Sequence, residues 1–198
     1  MKRSVLEVGL TTALCVLCAS SALGSFSATN GPYWPGETDY YYGNTWISNS
    51  VTLNNSGSMI CNTATMPGDT GPIAPGVYRA GNFYWGMGVL DWGADGANIN
   101  NNSGGIMQSI VSGTGEAQAA GILTLQSVTI NNSGLIAGEV TNNDGVASGV
   151  NQSSSGVTVT NNAGATISAA APYYASGIQC ANNVTIVNNG TIKAVGYP

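Results

Sequence analysis

Asp91 and Asp95 stand four residues apart in the run Asp91-Trp-Gly-Ala-Asp95-Gly96, and such pairs of acids can hold a cation or do acid–base work. Two carboxylates before a glycine match half of a calcium loop. The third position is Gly93 and the twelfth is Asn102, where that loop needs a ligand and a glutamate, so the pattern fails. A two-carboxylate glycosidase needs a defined separation in space, which spacing along a chain does not supply. The plainer reading is an Asp-capped turn. Trp85, Asp91, Trp92 and Asp95 are the candidate ligand contacts.

Other catalytic chemistry finds little footing. Serine is abundant, but the chain has no histidine, so a Ser-His-Asp triad cannot be built. A Ser-Lys variant would depend on Lys193. A pectate-lyase-like enzyme needs clustered acids and a base, and the acids here are scattered. The expectation is a non-enzymatic chain with no catalytic residue, no metal site and no cofactor.

The elements that would position these residues come from a repeat. Val128-Thr-Ile-Asn-Asn-Ser-Gly134 returns as Val157-Thr-Val-Thr-Asn-Asn-Ala-Gly164 and as Val184-Thr-Ile-Val-Asn-Asn-Gly190. A second marker keeps step, with Ala-Gly-Ile ending at Ile122, Ser-Gly-Val at Val150 and Ser-Gly-Ile at Ile178, 28 residues apart each time. Val-Thr-Ile alternates apolar and polar groups, the pattern of a half-buried strand. Asn-Asn-x-Gly then breaks it, because Asn and Gly tolerate the left-handed backbone of a tight turn. One such unit cannot bury its own apolar face, whereas stacked units can. The expected fold is all-β, a right-handed parallel β-helix (solenoid) with turns of about 28 residues. Ile122, Val128, Ile130, Val150, Val157, Val159, Ile178, Val184 and Ile186 should point inward, and Asn131, Asn161 and Asn188 should stack as an amide ladder.

Around this repeat the chain divides. Residues 1–24 read as a signal peptide: Lys2 and Arg3, an apolar run from Val8 to Ala19, and small residues at Ala22-Leu23-Gly24. Residues 25–50, rich in Tyr and Trp, are expected to plug the first turn as an N-terminal aromatic cap, and an aromatic platform for sugars is the other reading. The β-helix runs over 51–198, with strand-and-corner copies from 51, 97, 128, 157 and 184 and an insertion at 61–95. Beyond residue 24, two cations (Arg79 and Lys193) face eight carboxylates, so nucleic acid is a poor partner. Low charge with 43% hydrophobic residues argues against disorder. Cys61 and Cys180 fall four turns apart, too far for a disulfide, so both are expected to remain thiols. The Asn-x-Ser/Thr sequons at Asn54, Asn101, Asn131, Asn151, Asn183 and Asn189 read as corners rather than glycosylation sites.

On the residues Val128–Ile136, Val157–Ile167 and Val184–Ile192, behind a signal peptide, the chain resembles the passenger region of bacterial autotransporters, the pertactin-like and adhesin-type right-handed β-helices. The resemblance covers about residues 97–196 well, 51–60 more weakly and 61–95 not at all. It implies export, display at the cell surface or outer membrane or release outside the cell, and adhesion to a host-surface glycan or protein. No membrane β-barrel follows residue 198 in this sequence, a departure from that family. A secreted polysaccharide-acting lyase or hydrolase on the same scaffold, and a purely structural surface or fibre protein, are the alternative readings. The last turn, from Ser176, lacks a visible cap, so self-association through the exposed C-terminal turn is also expected.

Overall fold

The computed structural model describes residues 26–29, 52–62, 73–80, 83–91, 96–112, 116–141 and 145–196. Within them every element is a strand: β1 (Phe26–Thr29), β2 (Thr52–Asn55), β3 (Ser58–Asn62), β4 (Ile73–Ala80), β5 (Phe83–Asp91), β6 (Ala97–Asn101), β7 (Ile106–Val111), β8 (Ala117–Thr124), β9 (Val128–Asn132), β10 (Leu135–Val140), β11 (Val146–Asn161), β12 (Thr166–Ala171), β13 (Tyr174–Asn188) and β14 (Thr191–Gly196). They wind into a parallel β-solenoid with three faces. The first face stacks β2, β6, β9, the 157–161 half of β11 and the 184–188 half of β13. The second stacks β3, β7, β10, β12 and β14. The third stacks β5, β8, the 146–152 half of β11 and the 174–180 half of β13.

The register sets the period. Asn98 pairs with Thr129, Thr129 with Thr158 and Thr158 with Thr185, steps of 31, 29 and 27 residues that give three regular coils. The steps differ chiefly with two sets of corners: four, two and four residues lie between first-face and second-face strands, and five, five and two between second-face and third-face strands. Short corners join β9 to β10 and β13 to β14, while the longer ones after β6 and β11 carry Gly104 and Gly164 at positive φ. In the short corners glycine is present for a different reason than the left-handed backbone expected. A Cβ on Gly134 would lie 2.8 Å from the carbonyl oxygen of Asn102 and 2.9 Å from Asn101 Nδ2. There is no room for a side chain between stacked corners.

The β-branched residues of the repeat fill the interior. Leu53, Ile99, Ile130 and Val159 follow one another up the first face and are fully buried, joined by Met107, Ile136 and Ile167 from the second and Val89, Ile122 and Val150 from the third. Of the nine residues expected inward, Ile122, Val128, Ile130, Val150, Val157 and Val159 are buried. Ile178 and Val184 are partly buried against the same core. Ile186 is 47% exposed, because no described strand is stacked beyond it.

The Ser-Gly-Ile marker also has a physical cause. Gly88, Gly121, Gly149 and Gly177 occupy one column of the third face, each between paired residues of adjacent coils. A Cβ on Gly88 would sit 2.6 Å from Gln108 N, and one on Gly121 would sit 2.6 Å from Ala137 N. Face three thus touches the backbone of face two, and only glycine permits the approach.

The stretch 61–95 enters this scheme more than its sequence indicated. Cys61 and Asn62 end β3, and β5 lies parallel to β8 with Val89 opposite Ile122. Met87-Gly88-Val89 is therefore an earlier copy of the marker. What departs from the stack is β4, which runs antiparallel along β5, just as β1 runs antiparallel along β2. Of the expected aromatic cap at 25–50, only Phe26–Thr29 lies within the described residues.

Candidate functional site

Asp91 closes β5 at the corner between the third and first faces, and it is fully buried. Thr124, its register partner, brings Oγ1 to 3.2 Å from Asp91 Oδ2 and 2.9 Å from the Gln126 carbonyl oxygen. The Gln126 amide donates back to Thr124 Oγ1 at 3.2 Å, and the Leu125 amide donates to the Asp91 carbonyl at 3.0 Å. The acid thus ties a corner together, as an Asp in a turn does. Up the same column follow Gln152, buried, and Cys180, half-buried, each in register with the residue below. Burial pushes the Cys180 thiol above its ordinary pKa, away from the thiolate a nucleophile needs.

Trp85 sits on β5 six residues earlier. It is half-buried and packs against a small cluster of Met87, Leu90, Ala120 and Leu123. Trp92 and Asp95 lie outside the described residues. Trp85 and Asp91 are therefore on one strand but in separate surroundings, one in an apolar cluster and the other in a polar corner. Cys61, buried on β3, and Cys180, in the third coil above it, form no disulfide.

Two amide ladders run through the corners, offset from the expected one. The inner ladder is Asn55, Asn101, Asn132, Asn161 and Asn188, each Nδ2 donating to the next Oδ1 at 2.8–2.9 Å. Asn131, expected beside Asn161, instead pairs with Thr160 and belongs to an outer ladder. There Asn131 Nδ2 donates to Asn100 Oδ1 at 2.9 Å, and Asn100 Nδ2 donates to Asn54 Oδ1 at 2.8 Å. The shift arises because Val157-Thr-Val-Thr holds one more residue before its first Asn than Val128-Thr-Ile does. Counting four residues on from Val51, Ala97, Val128, Val157 and Val184 lands on the inner asparagine in every copy. Of the six sequons, Asn54, Asn101 and Asn131 thus engage their amides in ladders, Asn151 is buried, and Asn183 and Asn189 are exposed. Asn183 takes a left-handed corner with φ 53°, following Gly156 with φ 91° in the coil below.

The outward side of the first face is a regular surface five strands deep. One column reads Thr52, Asn98, Thr129, Thr158, Thr185, and the other reads Asn54, Asn100, Asn131, Thr160, Val187. Nine of these ten positions carry a hydroxyl or an amide and none carries a charge, which restricts the surface to neutral hydrogen bonding. Its groups repeat every ~4.8 Å along the stack and ~7 Å across it. Their rigidity comes from behind, where the inner ladder and the apolar columns fix each strand. Sequence reasoning assigned the threonines only to the non-core side, although their alternation with the core residues was the signal that marked this face.

No protein-family model, curated protein or solved structure matches the chain.

Proposed function

We propose that the chain is an exported surface or secreted solenoid, of the autotransporter-passenger kind, that adheres through the Thr/Asn side of its first face. The observation that carries this reading is the regular, uncharged double column of hydroxyls and amides from Thr52 to Thr185. Such a surface offers many weak, neutral hydrogen bonds in a fixed array, which is how a rigid scaffold engages a polar polymer without turning it over. A host-surface glycan or an extended protein segment has the matching chemistry. The signal-like residues 1–24 support export. A polysaccharide-acting enzyme gains no support from Asp91, whose carboxylate is buried and bonded to Thr124.

The test is binding of the purified chain to a glycan array and to cultured host cells, with Thr129→Lys/Thr158→Lys as the paired variant. Both positions are only half-buried, so the variant should keep its melting temperature while losing adhesion. Equal binding by the variant would remove the first face from the mechanism. Release of reducing ends from a bound polysaccharide would move the reading to the enzyme.

A further inference from the structure

The two ends of the solenoid are built differently. At the lower end, β1 lies antiparallel on β2 and β4 lies antiparallel on β5, so two of the three faces are closed by strands that break the parallel stack. At the upper end all three faces stop on strands with a described neighbour on one side only: β13 along 174–180 and 184–188, and β14. Five of the six exposed large apolar side chains described, Tyr173, Tyr174, Ile186, Val187 and Val195, lie at this end. The inner ladder stops here as well. Asn188 Oδ1 accepts from Asn161 and Gly190, while its Nδ2, the atom that reaches the next coil elsewhere, has no partner among the described residues.

We propose that this upper end docks a second copy of the same chain, end to end, in a closed pair. Head-to-tail stacking needs a free parallel edge on every face, and the lower end offers one only at β3. A second upper end offers all three. Two copies of one patch meet about a two-fold axis, their edges run antiparallel, and assembly stops at two. Pairing covers Val184, Ile186 and Ile192 and supplies carbonyl acceptors to the open N–H groups and to Asn188 Nδ2.

The backbone identifies which groups do this. Thr191 N donates to Ala165 O, back toward the stack. Strand alternation therefore turns the N–H and C=O of Ile192 and Ala194 to the open edge. Ala194→Pro deletes one edge donor while sparing the bonds to β12, and Ile186→Asp places a charge on the exposed core column.

Sedimentation of the full chain from ~1 to ~100 μM, a range in which open edges associate, is expected to show monomer and dimer and nothing larger. Each variant should raise the dimer dissociation constant by about tenfold or more. Should Ile186→Asp unfold the last coil by circular dichroism, Ala194→Pro decides alone. Spin labels on Val195→Cys in a Cys180→Ser background should report a short distance between copies, and labels on Ile60→Cys should not. A monomer at every concentration, growth into filaments, an unaltered dimer with Ala194→Pro, or a short distance between Ile60 labels would each overturn the proposal.

Discussion

Asn132 donates its Nδ2 to Oδ1 of Asn161 at 2.9 Å, although 29 residues of chain separate them. The same nitrogen lies 3.1 Å from the Thr166 carbonyl oxygen, while Asn132 Oδ1 accepts from Asn101 Nδ2 at 2.8 Å and from the Gly134 amide at 3.1 Å. One buried side chain therefore joins its own corner to the coils above and below. A carboxylate could not donate upward, and an apolar side chain could do neither. Asparagine is the residue whose two ends match the two neighbours of a parallel stack.

Asn132→Ala should therefore be costly. It leaves Asn101 Nδ2, the Gly134 amide and Asn161 Oδ1 short of a partner in a buried corner, at ~1–3 kcal/mol for each group that water cannot reach. The expected loss is about 3–5 kcal/mol in urea unfolding followed by tryptophan fluorescence. Asn131→Ala, in the half-buried outer ladder, should cost no more than ~1 kcal/mol. Equal losses at the two sites would mean that the inner ladder is not special.

Gly121→Ala tests the close approach of the second and third faces. The added Cβ would meet Ala137 N at 2.6 Å and Gly149 O at 2.7 Å, and both are backbone atoms held in sheets. Neither can move without parting the faces, so the loss should be ~3 kcal/mol or more, at or above the top of the usual cost of overpacking a core. Gly104→Ala is the contrast. Its Cβ would meet nothing within 4 Å, and only its φ of 77° opposes a side chain, for about 1–2 kcal/mol. The ordering of the two melting temperatures is the measurement, and a reversed order would contradict the packing described.

What the sequence disclosed and what it hid divide along the same physical line. The parallel stack and its core columns were legible, because Val128, Val157 and Val184 recur with strand alternation around them. The offset of the amide ladder was legible too, had the count run from the first strand residue rather than from the first asparagine. The status of β5 was hidden by the aromatics around it, although Gly88-Val89 carried the marker. The antiparallel courses of β1 and β4 left no periodic trace, since a capping strand repeats nothing. The candidate site fared worse. Asp91 and Asp95 drew attention as a carboxylate pair, but burial against Thr124 depends on a register across 33 residues that no local spacing encodes.

Ile136→Ala and Ile186→Ala compare an enclosed core position with one at the open end. Ile136 is fully buried on the second face, and truncation there should cost about 2–5 kcal/mol through lost burial and a cavity. Ile186 keeps 47% of its surface, so the same truncation should cost under ~1 kcal/mol in dilute solution. Val157→Asp, which puts an unpaired charge into the core, should abolish the folded circular dichroism spectrum. A tolerated Val157→Asp would contradict the inward column.

The last expectation concerns pH and Cys180. Its half-buried place beside Gln152 at the end of the third face holds the thiol above its ordinary pKa, through the cost of burying a thiolate. In the folded chain the proton is therefore kept to a higher pH than in the unfolded chain. Between those two values the unfolded state binds fewer protons, so stability is level below the ordinary thiol range and falls as pH rises through the folded value. Two measurements follow. Alkylation of native Cys180 by iodoacetamide, located by peptide mass mapping, should rise at a higher pH than alkylation of the same residue in denaturant. Cys61, buried on β3, should react only on unfolding, so it marks any denatured fraction in the same experiment. The melting temperature of the native chain should decline over the alkaline window, and Cys180→Ser should reduce that decline by the thiol's share. A native alkylation profile displaced to lower pH would show that a neighbour stabilises the thiolate, and the burial argument for this corner would fail.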